Sequence, residues 1–448
     1  MPGLRYHIRT YGCQMNERDS EALGCLLRDA GYVPANGEQD ADILLFNTCS
    51  VRDQAERKAV GKVGIMKRLK RERPDVVIGV VGCMAQNRGE QLLEELPHVD
   101  LVVGTDRIHL LPEILADVLA GRRGQVHVEP GTEIIGELQR HEPGKVSAFV
   151  SVMRGCDQYC TYCIVPYVRG REKSRPIDDI VAEVRELAAH GTPEIFLLGQ
   201  NITAYGLAEL RKAGALTADA SPFANLLRAV NDVPGVERIR FTSPHPRYMN
   251  AAFIEAVTSL PKVCQSFHIP LQSGSDRILQ AMGRGYTAAE YLERLSRIRA
   301  RLAEVTFTTD VIVGFPGETE EDFAATRRAM DEGGFEMAYI FKYSPRTGTQ
   351  AAGLADDVPQ QVKEERNQVL LKDLERRSGR ANAKYVGRTV EVLVEGQSKR
   401  EASQWTGRTR TAKVCIFPPV DGLRAGTLAN VRIARVTPNS LFGEIVVG

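Results

Sequence analysis

Three cysteines within eight residues constrain the fold of this 448-residue chain more than any other feature. Cys156, Cys160 and Cys163 come directly after an apolar run at residues 149–153, which predicts that they lie on a loop leaving a strand. Three thiolates this close together are able to share one metal centre. A structural zinc site normally has four protein ligands. A four-iron cluster held by only three cysteines instead keeps one iron open for a substrate or cofactor.

Two other interpretations of these cysteines stay open. Cysteine often behaves as a small buried hydrophobic residue, so the three could be structural or incidental. They could also bind zinc. Their spacing differs from the ferredoxin pattern, and no fourth cysteine or following proline nearby completes that pattern. A four-iron cluster with one open iron is therefore the favoured interpretation.

Residues 1 to about 120 alternate between strand-like and helix-like patterns. The predicted strands are residues 5–10, 43–46, 76–81 and 101–103, and the predicted helices are residues 19–30, 53–73, 90–96 and 110–119. Such alternation predicts an open, mostly parallel sheet covered by helices.

A second set of cysteines follows the first three of these strands. Cys13, Cys49 and Cys83 each lie two or three residues beyond the carboxyl end of a predicted strand. Open α/β sheets bind ligands in the crevice beyond those ends, so we expect the three cysteines to converge there. The alternative is that each is a small buried side chain. Three cysteines at equivalent places favour a second cluster, whereas Cys25, Cys264 and Cys415 show no such pattern and are interpreted as structural.

The central part of the chain predicts six repeats of strand and helix. The predicted strands are residues 148–153, 194–198, 238–242, 265–269, 306–313 and 336–343. Six βα units are too few for a closed eight-stranded barrel but suit a partial one. Chemistry in such barrels gathers at the carboxyl ends of the strands, and the loop of Cys156 follows the first strand.

The C-terminal part has a different sequence pattern and a strong excess of basic residues. Short alternating runs at residues 389–394, 412–416, 428–434 and 442–447, separated by Gly and Pro, predict a small antiparallel barrel. Residues 376–448 contain 13 Lys and Arg against 5 Asp and Glu, a net charge of +8 in a chain whose total is +1. This asymmetry indicates a phosphate-binding part. A solvated basic face is the alternative.

The sequence also indicates the cellular compartment of the protein. The N-terminus carries no pattern of a signal peptide, and no apolar run approaches the roughly 18 residues that a membrane helix needs. Nine cysteines without an export signal indicate reduced thiolates used for metal in the cytoplasm, with no membrane association.

The sequence resembles the radical S-adenosylmethionine (SAM) methylthiotransferase family over nearly its whole length. Residues 156–163 match the superfamily signature C-x-x-x-C-x-aromatic-C, with Tyr162 at the aromatic place. The other matching stretches are YGCQMN (11–16), DSE (19–21), CTYCIVPY (160–167), RGRE (169–172), LGQN (198–201), FTSPHP (241–246), HIPLQSG (268–274) and FKYSPR (341–346). The triplet at residues 14–16 is similar to that of members acting on isopentenyladenosine in tRNA.

This resemblance implies two 4Fe-4S clusters and SAM as cofactors. It implies that one cluster binds to Cys156, Cys160 and Cys163, and an auxiliary cluster to Cys13, Cys49 and Cys83. Tyr162, Gln200 and Gly314 fall where the SAM pocket of the family would lie. The implied domains are an N-terminal domain (1–120), a linker (121–145), a radical SAM core (146–376) and a C-terminal RNA-binding TRAM domain (377–448).

The resemblance also implies the reaction and the partners. The expected reaction replaces the hydrogen on carbon 2 of an isopentenylated adenine at position 37 of tRNA with a methylthio group. Because the base must be unstacked, we expect an anticodon stem-loop as substrate. We further expect a monomer that receives electrons from a flavodoxin-like or ferredoxin-like protein. The alternatives are action on threonylcarbamoyladenosine or on a ribosomal protein, or a non-catalytic iron–sulfur sensor that binds RNA.

Overall fold

The computed structural model of the protein describes residues 3–51, 53–131 and 139–446. In this part of the chain an open parallel sheet is followed by an incomplete barrel of parallel strands and then by a small closed barrel. The expected α/β fold class, with its partial (β/α)6 barrel and its C-terminal β-barrel, is confirmed. None of the described helices is both long and apolar enough to cross a membrane.

The N-terminal part is a six-stranded parallel sheet in the order β2-β1-β3-β4-β5-β6. Its elements are β1 (Arg5–Thr10), α1 (Gln14–Asp29), β2 (Val33–Pro34), β3 (Ile43–Thr48), α2 (Asp53–Glu72), β4 (Val77–Gly82), α3 (Cys83–Arg88), α4 (Gln91–Glu95), β5 (Leu101–Val103), α5 (Leu111–Leu119) and β6 (Gln125–His127). Every residue of the central strands β3 and β4 is buried, as expected for strands covered on both faces.

Two edge strands of this sheet were not predicted. β2 has only two residues and contains Pro34, and β6 has three residues in a stretch rich in Gly and Pro, so neither shows a strand pattern. β6 pairs with β5 and lies inside residues 121–145, which the sequence predicts to be a linker. Residues 132–138 of that expected linker, and Val447 at the end of the last predicted strand, lie outside the described residues.

The central part has six main parallel strands with helices on their outer side. Its elements are β7 (Ser147–Ser151), β8 (Met153–Arg154), α6 (Val165–Arg169), β9 (Lys173–Ser174), α7 (Ile177–Ala189), β10 (Glu194–Leu198), α8 (Leu207–Lys212), α9 (Pro222–Asn231), β11 (Arg238–Phe241), α10 (Ala251–Ser259), β12 (Ser266–His268), α11 (Asp276–Ala281), α12 (Ala288–Arg299), β13 (Thr306–Val313), α13 (Glu320–Glu332), β14 (Met337–Lys342) and α14 (Gln360–Ala383). The domain boundary expected at residue 376 falls inside α14.

The six strands form two three-stranded sheets that meet edge to edge. β7, β10 and β11 pair in one sheet, β12, β13 and β14 pair in the other, and a parallel bridge between Thr242 and His268 joins them. Capping boxes at Thr287 and Thr319 start α12 and α13, since each side chain accepts from a backbone N–H of the first turn. The strand order follows the chain order, so all six carboxyl ends face the same opening.

The C-terminal part is a closed five-stranded barrel in the order β15-β16-β17-β19-β18. Its strands are β15 (Thr389–Gln397), β16 (Trp405–Thr409), β17 (Val414–Phe417), β18 (Leu428–Val436) and β19 (Leu441–Ile445). The sequence predicts four of these strands and misses β16, whose residues WTGRT include only two buried positions. The barrel is antiparallel except for the parallel pair β17 and β19.

Two buried arginines join this barrel to the amino ends of the central strands. Arg238, the first residue of β11, donates to the carbonyl of Arg408 at 2.6 Å and to Glu391 at 2.8 Å. Arg240 donates to the carbonyl of Thr409 at 2.8 Å. The turn after β16 therefore packs at the amino ends of the strands, opposite the end at which the cysteine loop leaves β7.

Candidate active site

The sheet brings Cys13, Cys49 and Cys83 to the carboxyl ends of three neighbouring strands. Cys13 caps α1 after β1, Cys49 follows β3 directly, and Cys83 opens α3 directly after β4. Cys49 and Cys83 are buried, and Cys13 is partly exposed. Because β1, β3 and β4 are adjacent in the sheet, the three thiols lie on one edge, as the sequence predicts.

Two features hold the backbone close at this edge. Gly12 has a φ of +136°, and a Cβ there would lie 2.6 Å from the Cβ of Cys49, so only glycine allows this approach. The buried Asn16 donates from Nδ2 to Asn47 Oδ1 and to the carbonyl of Thr48, both at 3.0 Å. Asn16 therefore ties the loop after β1 to the end of β3.

The thiol of Cys83 is influenced by the other two cysteines. Burial is the main cause that raises the pKa of Cys83 to about 12; Arg169 opposes this shift, and the charges of Cys49 and Cys13 contribute to it. Cys83 is thus protonated at neutral pH in the absence of metal. A metal centre here must displace protons when it binds.

The second cysteine set lies on the loop after β7 and β8. The amide of Cys156 donates to the carbonyl of Gly170 at 3.1 Å, and the amide of Cys163 donates to the carbonyl of Cys160 at 2.9 Å. Cys156 and Cys160 are buried and Cys163 is partly exposed. Burial raises the pKa of Cys163 to about 12, and the nearby Cys160 adds to this shift.

Helix α6 lies between the two cysteine sets. Val168 of this helix and Ile164, the residue before the helix, pack against Cys83 of the N-terminal part. Arg169 at its last position donates from Nε to Cys83 Sγ at 3.2 Å, and its Nη2 lies 2.9 Å from Asp19 Oδ2. Because α6 starts two residues after Cys163, this one helix couples the positions of both sets.

The structure brings Tyr162 next to the loop of Gly314 but gives Gly314 itself a packing role. Tyr162 packs on a cluster that includes Phe315. Gly314 has a φ of +70°, its amide donates to Glu318 Oε1 at 2.9 Å, and a Cβ there would lie 2.3 Å from Lys363 Cγ. Gly314 therefore allows α14 to approach the loop.

Gln200 belongs to a different group of side chains, at the carboxyl ends of β10 and β11. Gln200 Oε1, Asn201 Nδ2 and His245 Nε2 are buried atoms with no hydrogen-bond partner among the described residues. The hydroxyl of Thr203 links two of these residues, since it donates to Asn201 Oδ1 at 3.1 Å and accepts from the amide of His245 at 2.8 Å. Burial and the charge of Arg284 hold the pKa of His245 well below its usual range, so its ring is neutral.

These residues fit iron–sulfur clusters and a polar cofactor better than a single metal ion. In residues 3–51, 53–131 and 139–446, no group of three His, Cys, Asp or Glu side chains is arranged to surround one ion. In an iron–sulfur cluster each cysteine binds a different iron, so the thiolates need not meet at one atom. The unpartnered polar atoms of Gln200, Asn201 and His245 need a ligand or water, because a buried unsatisfied group is costly.

Three charged residues of the site were not predicted. Asp19 and Arg169 lie in the stretches that resemble the family, but only the fold shows that they reach Cys83. Arg284 donates from Nη1 to Cys160 Sγ at 3.3 Å across 124 positions of sequence. The one available signal was the sequence Gly-Arg-Gly at residues 283–285, a charged residue between two glycines.

Models of three known families match three successive parts of the chain. Residues 5–104 match the family described as Uncharacterized protein family UPF0004, residues 150–330 match the Radical SAM superfamily, and residues 383–446 match the TRAM domain.

A solved structure with the same fold is a radical S-adenosylmethionine methyltransferase, TsrM, from Kitasatospora setae, determined with cobalamin and a 4Fe-4S cluster. It superposes with a TM-score of 0.57 over 79% of this chain and 74% of that protein, at 14% identity. This likeness supports the fold.

Curated relatives cover almost the whole chain. A tRNA-2-methylthio-N(6)-dimethylallyladenosine synthase of Opitutus terrae is 47% identical over 99% of this chain and 97% of its own length. Proteins of the same name from Akkermansia muciniphila and Acetivibrio thermocellus are 44% and 45% identical, over 99% and 98% of this chain and 98% and 91% of their own lengths. With these relatives and with its two cysteine sets on either side of helix α6, the chain belongs to the tRNA-2-methylthio-N(6)-dimethylallyladenosine synthase family of radical SAM enzymes.

Proposed function

We propose that this protein is a radical SAM tRNA methylthiotransferase. It adds a methylthio group to carbon 2 of isopentenyladenosine at position 37, next to the anticodon. The observation that carries this proposal is the placement of two cysteine sets on the two sides of α6. One set supplies radical chemistry and the other sulfur chemistry, and the chain ends in a basic barrel suited to RNA.

Each of the two cysteine sets would hold one of the two clusters. Cys156, Cys160 and Cys163 would hold the cluster that binds SAM. Cys13, Cys49 and Cys83 hold the auxiliary cluster. When bound, these clusters and SAM supply the one-electron chemistry that replaces an unreactive C–H bond. The buried environment of both sets keeps the thiols protonated until metal binds, because burial raises the pKa of Cys83 and Cys163.

The side chains around the cysteine loop form the SAM site. Tyr162, which packs on the cluster that includes the buried Phe315, provides an apolar surface on one side. On the other side Gln200 offers a buried oxygen that accepts from a donor on the ligand. The neutral ring of His245 and the amide of Asn201 supply further polar contacts near the same strand ends. These groups orient the ligand and exclude water from the opening of the barrel.

The C-terminal barrel binds the RNA backbone. Its exposed basic side chains without a carboxylate partner among the described residues are Lys384, Lys399, Arg400, Arg424, Arg432 and Arg435. Contacts of this kind recognise phosphates and carry little sequence information. The reacting base is read separately at the opening of the central barrel, after it leaves the stack.

The triplet at residues 14–16 supports isopentenyladenosine as the substrate. Met15 and Asn16 are buried, and Asn16 holds the loop of Cys13 in place, so Gln14 is the exposed residue of this triplet. The apolar prenyl tail offers about 0.8 kcal/mol of burial for each CH₂ group, which is enough to discriminate against an unmodified base.

The remaining partners follow from the chemistry. Reduction of the clusters requires a one-electron donor, which we propose to be a flavodoxin-like or ferredoxin-like protein. One chain carries both cysteine sets and the RNA-binding barrel, and we propose that it acts as a monomer. We propose that the protein works in the cytoplasm, where its nine free cysteines would stay reduced.

The proposal is tested with three synthetic anticodon stem-loops, whose position 37 carries isopentenyladenosine, unmodified adenosine or threonylcarbamoyladenosine. Reconstituted protein, dithionite and SAM are added, and the nucleosides are analysed by mass spectrometry. We expect methylthio product from the isopentenyl loop and little from the other two. Equal turnover of the first two loops, or preference for the third, would contradict the proposed substrate. Absence of any SAM cleavage would favour the iron–sulfur sensor.

A further inference from the structure

Arg284 connects the cysteine loop of the central barrel to the loop that follows β12. Its side chain is buried, and its Nη1 donates to Cys160 Sγ at 3.3 Å. Its Nε donates to the hydroxyl of Tyr286 at 3.1 Å. That hydroxyl donates in turn to the carbonyl of Leu271 at 3.0 Å. The guanidinium is therefore fixed on one side by the scaffold and directed on the other at a cysteine sulfur.

The turn that carries Arg284 is attached to the cysteine loop through its backbone as well. Thr161 donates from its amide to the carbonyl of Met282 at 3.0 Å and from its hydroxyl to the carbonyl of Ala281 at 2.9 Å. Gly283 and Gly285 have φ values of +71° and +68°, which favour glycine on both sides of Arg284. The attachment of the turn to the loop thus persists without the arginine side chain.

The charge of Arg284 has no counterpart nearby. Within the described residues no carboxylate oxygen lies within 4.0 Å of its nitrogens. Arg169 makes the matching contact in the other cysteine set, to Cys83 Sγ at 3.2 Å, but its charge is compensated by Asp19 at 2.9 Å. The Cys83 set also has a second buried arginine, Arg154, at 4.0 Å from the same Asp19. Arg284 differs from both arginines because no described carboxylate lies within 4.0 Å of it.

We propose that Arg284 is a positioning residue whose fixed positive charge raises the reduction potential of the cluster on Cys156, Cys160 and Cys163. This inference rests on the proposed placement of that cluster. Accepting an electron makes the cluster more negative, and a buried cation beside a ligand sulfur stabilises the more negative state. Hydrogen bonds to the sulfurs, net charge and solvent exposure are the properties that set such potentials. Arg284 thereby favours the reduction that precedes SAM cleavage.

The test is a redox titration of the full-length reconstituted protein, followed by electron paramagnetic resonance. The signal that changes when SAM is added is assigned to the cluster that binds SAM. We expect Arg284→Gln to shift its midpoint potential to a more negative value while iron and sulfide contents stay at the wild-type level. Arg284→Lys keeps the charge, so its midpoint should stay close to wild type. Arg169→Gln is the matched control and should leave this midpoint unchanged.

Each other outcome decides against the proposal. An unchanged midpoint in Arg284→Gln would overturn it, and so would an equal shift in Arg284→Lys, because the charge would then not be the cause. Loss of the cluster from Arg284→Gln would contradict the proposal and would instead assign Arg284 a role in cluster assembly. If a protein with Cys156, Cys160 and Cys163 changed to alanine keeps the SAM-responsive signal, the placement of the cluster under the proposed function fails instead.

Discussion

The imidazole of His141 contacts the carboxylate of Glu183, with 2.6 Å between Nε2 and Oε1. Its other nitrogen lies 3.5 Å from Glu21, which also accepts from Lys145 at 3.0 Å. Glu21 is on α1 and Glu183 is on α7, and all three side chains of the His141 contact are buried. This cluster therefore attaches the N-terminal sheet to the central barrel, and with it the first cysteine set to the second.

The cluster predicts a pH dependence of stability. Burial alone would lower the pKa of His141, but hydrogen bonds with Glu183 and Glu21 raise it above 6.5, so its contribution is complete below pH 6.5 and is lost as pH rises through the raised pKa. Burial alone would raise the pKa of Glu21, but His141, Arg18 and Lys145 lower it to about 2. Its contribution is complete above pH 4.5 and is lost as pH falls toward 2.

His141 and Glu21 both contribute fully to stability between pH 4.5 and 6.5. We expect His141→Gln to destabilise the protein most in this range, by about 1–3 kcal/mol, since two buried carboxylates lose their shared partner. The measurement is the thermal unfolding midpoint of both proteins at pH 5.5 and 8.5. His190→Gln is the control, because His190 is exposed and contacts only a carbonyl of its own helix. A larger effect of His141→Gln at pH 8.5 would contradict the prediction.

The two cysteine sets lie in different parts of the fold, so we expect each set to bind its cluster independently of the other. Changing Cys156, Cys160 and Cys163 to alanine should roughly halve the iron content and stop formation of 5′-deoxyadenosine, since the cluster that binds SAM is lost. Changing Cys13, Cys49 and Cys83 should also remove about half of the iron but leave SAM cleavage without methylthio product. Iron analysis and nucleoside chromatography after reduction measure both effects.

Cys264→Ala is the control for these triple variants, because Cys264 is buried away from both sets and should retain all iron. Wild-type iron content in the protein without Cys13, Cys49 and Cys83 would show that the second cluster does not exist. Methylthio product from that same protein would refute its role in sulfur chemistry.

Gly155 directly precedes Cys156, and we expect that only glycine fits at this position. A Cβ at this position would lie 2.1 Å from the carbonyl oxygen of Arg171. Gly155→Ala should therefore displace the loop of Cys156 and reduce iron binding. Gly144 has nearly the same φ, +78° against +77°, but no atom lies within 4 Å of its Cβ position. Gly144→Ala thus carries only the cost of the left-handed backbone, about 1–2 kcal/mol.

The measurement is the iron content of the two reconstituted proteins, with circular dichroism to confirm folding. We expect a loss of iron only in Gly155→Ala. Equal iron contents would mean that the loop accommodates the extra carbon and that Gly155 is not required.

The exposed basic side chains of the C-terminal barrel predict a salt-dependent affinity. Changing Lys399, Arg400, Arg432 and Arg435 to glutamine should weaken tRNA binding and lower the salt slope by roughly 0.7–0.9 for each phosphate that the protein no longer neutralises. SAM cleavage without tRNA should persist. The control is Arg408→Gln, because Arg408 is already paired with Glu395 at 2.7 Å. Filter binding at several salt concentrations tests this, and an unchanged slope would remove the barrel from phosphate recognition.

The positions of all six cysteines relative to the strands were predictable from the sequence. Strands β3 and β4 each contain an apolar run, and the residues beyond these runs can be counted directly. The charged contacts were not predictable, because Arg284 and Cys160 meet only after the loops that follow β7 and β12 come together. The buried role of Asn16 was hidden for the same reason, since its partners Asn47 and Thr48 lie on another strand.

The C-terminal barrel packs at the amino ends of the central strands, while both cysteine sets lie at carboxyl ends. The central strands have four to eight residues apart from the short β12, which at about 3.3 Å per residue is roughly 13–26 Å. If the C-terminal barrel binds the RNA as proposed, we expect the RNA to extend along the height of the central barrel before its base reaches the opening. We therefore expect the distance between the RNA stem and the reacting base to limit which substrates fit, so a short oligonucleotide with the right base should react poorly.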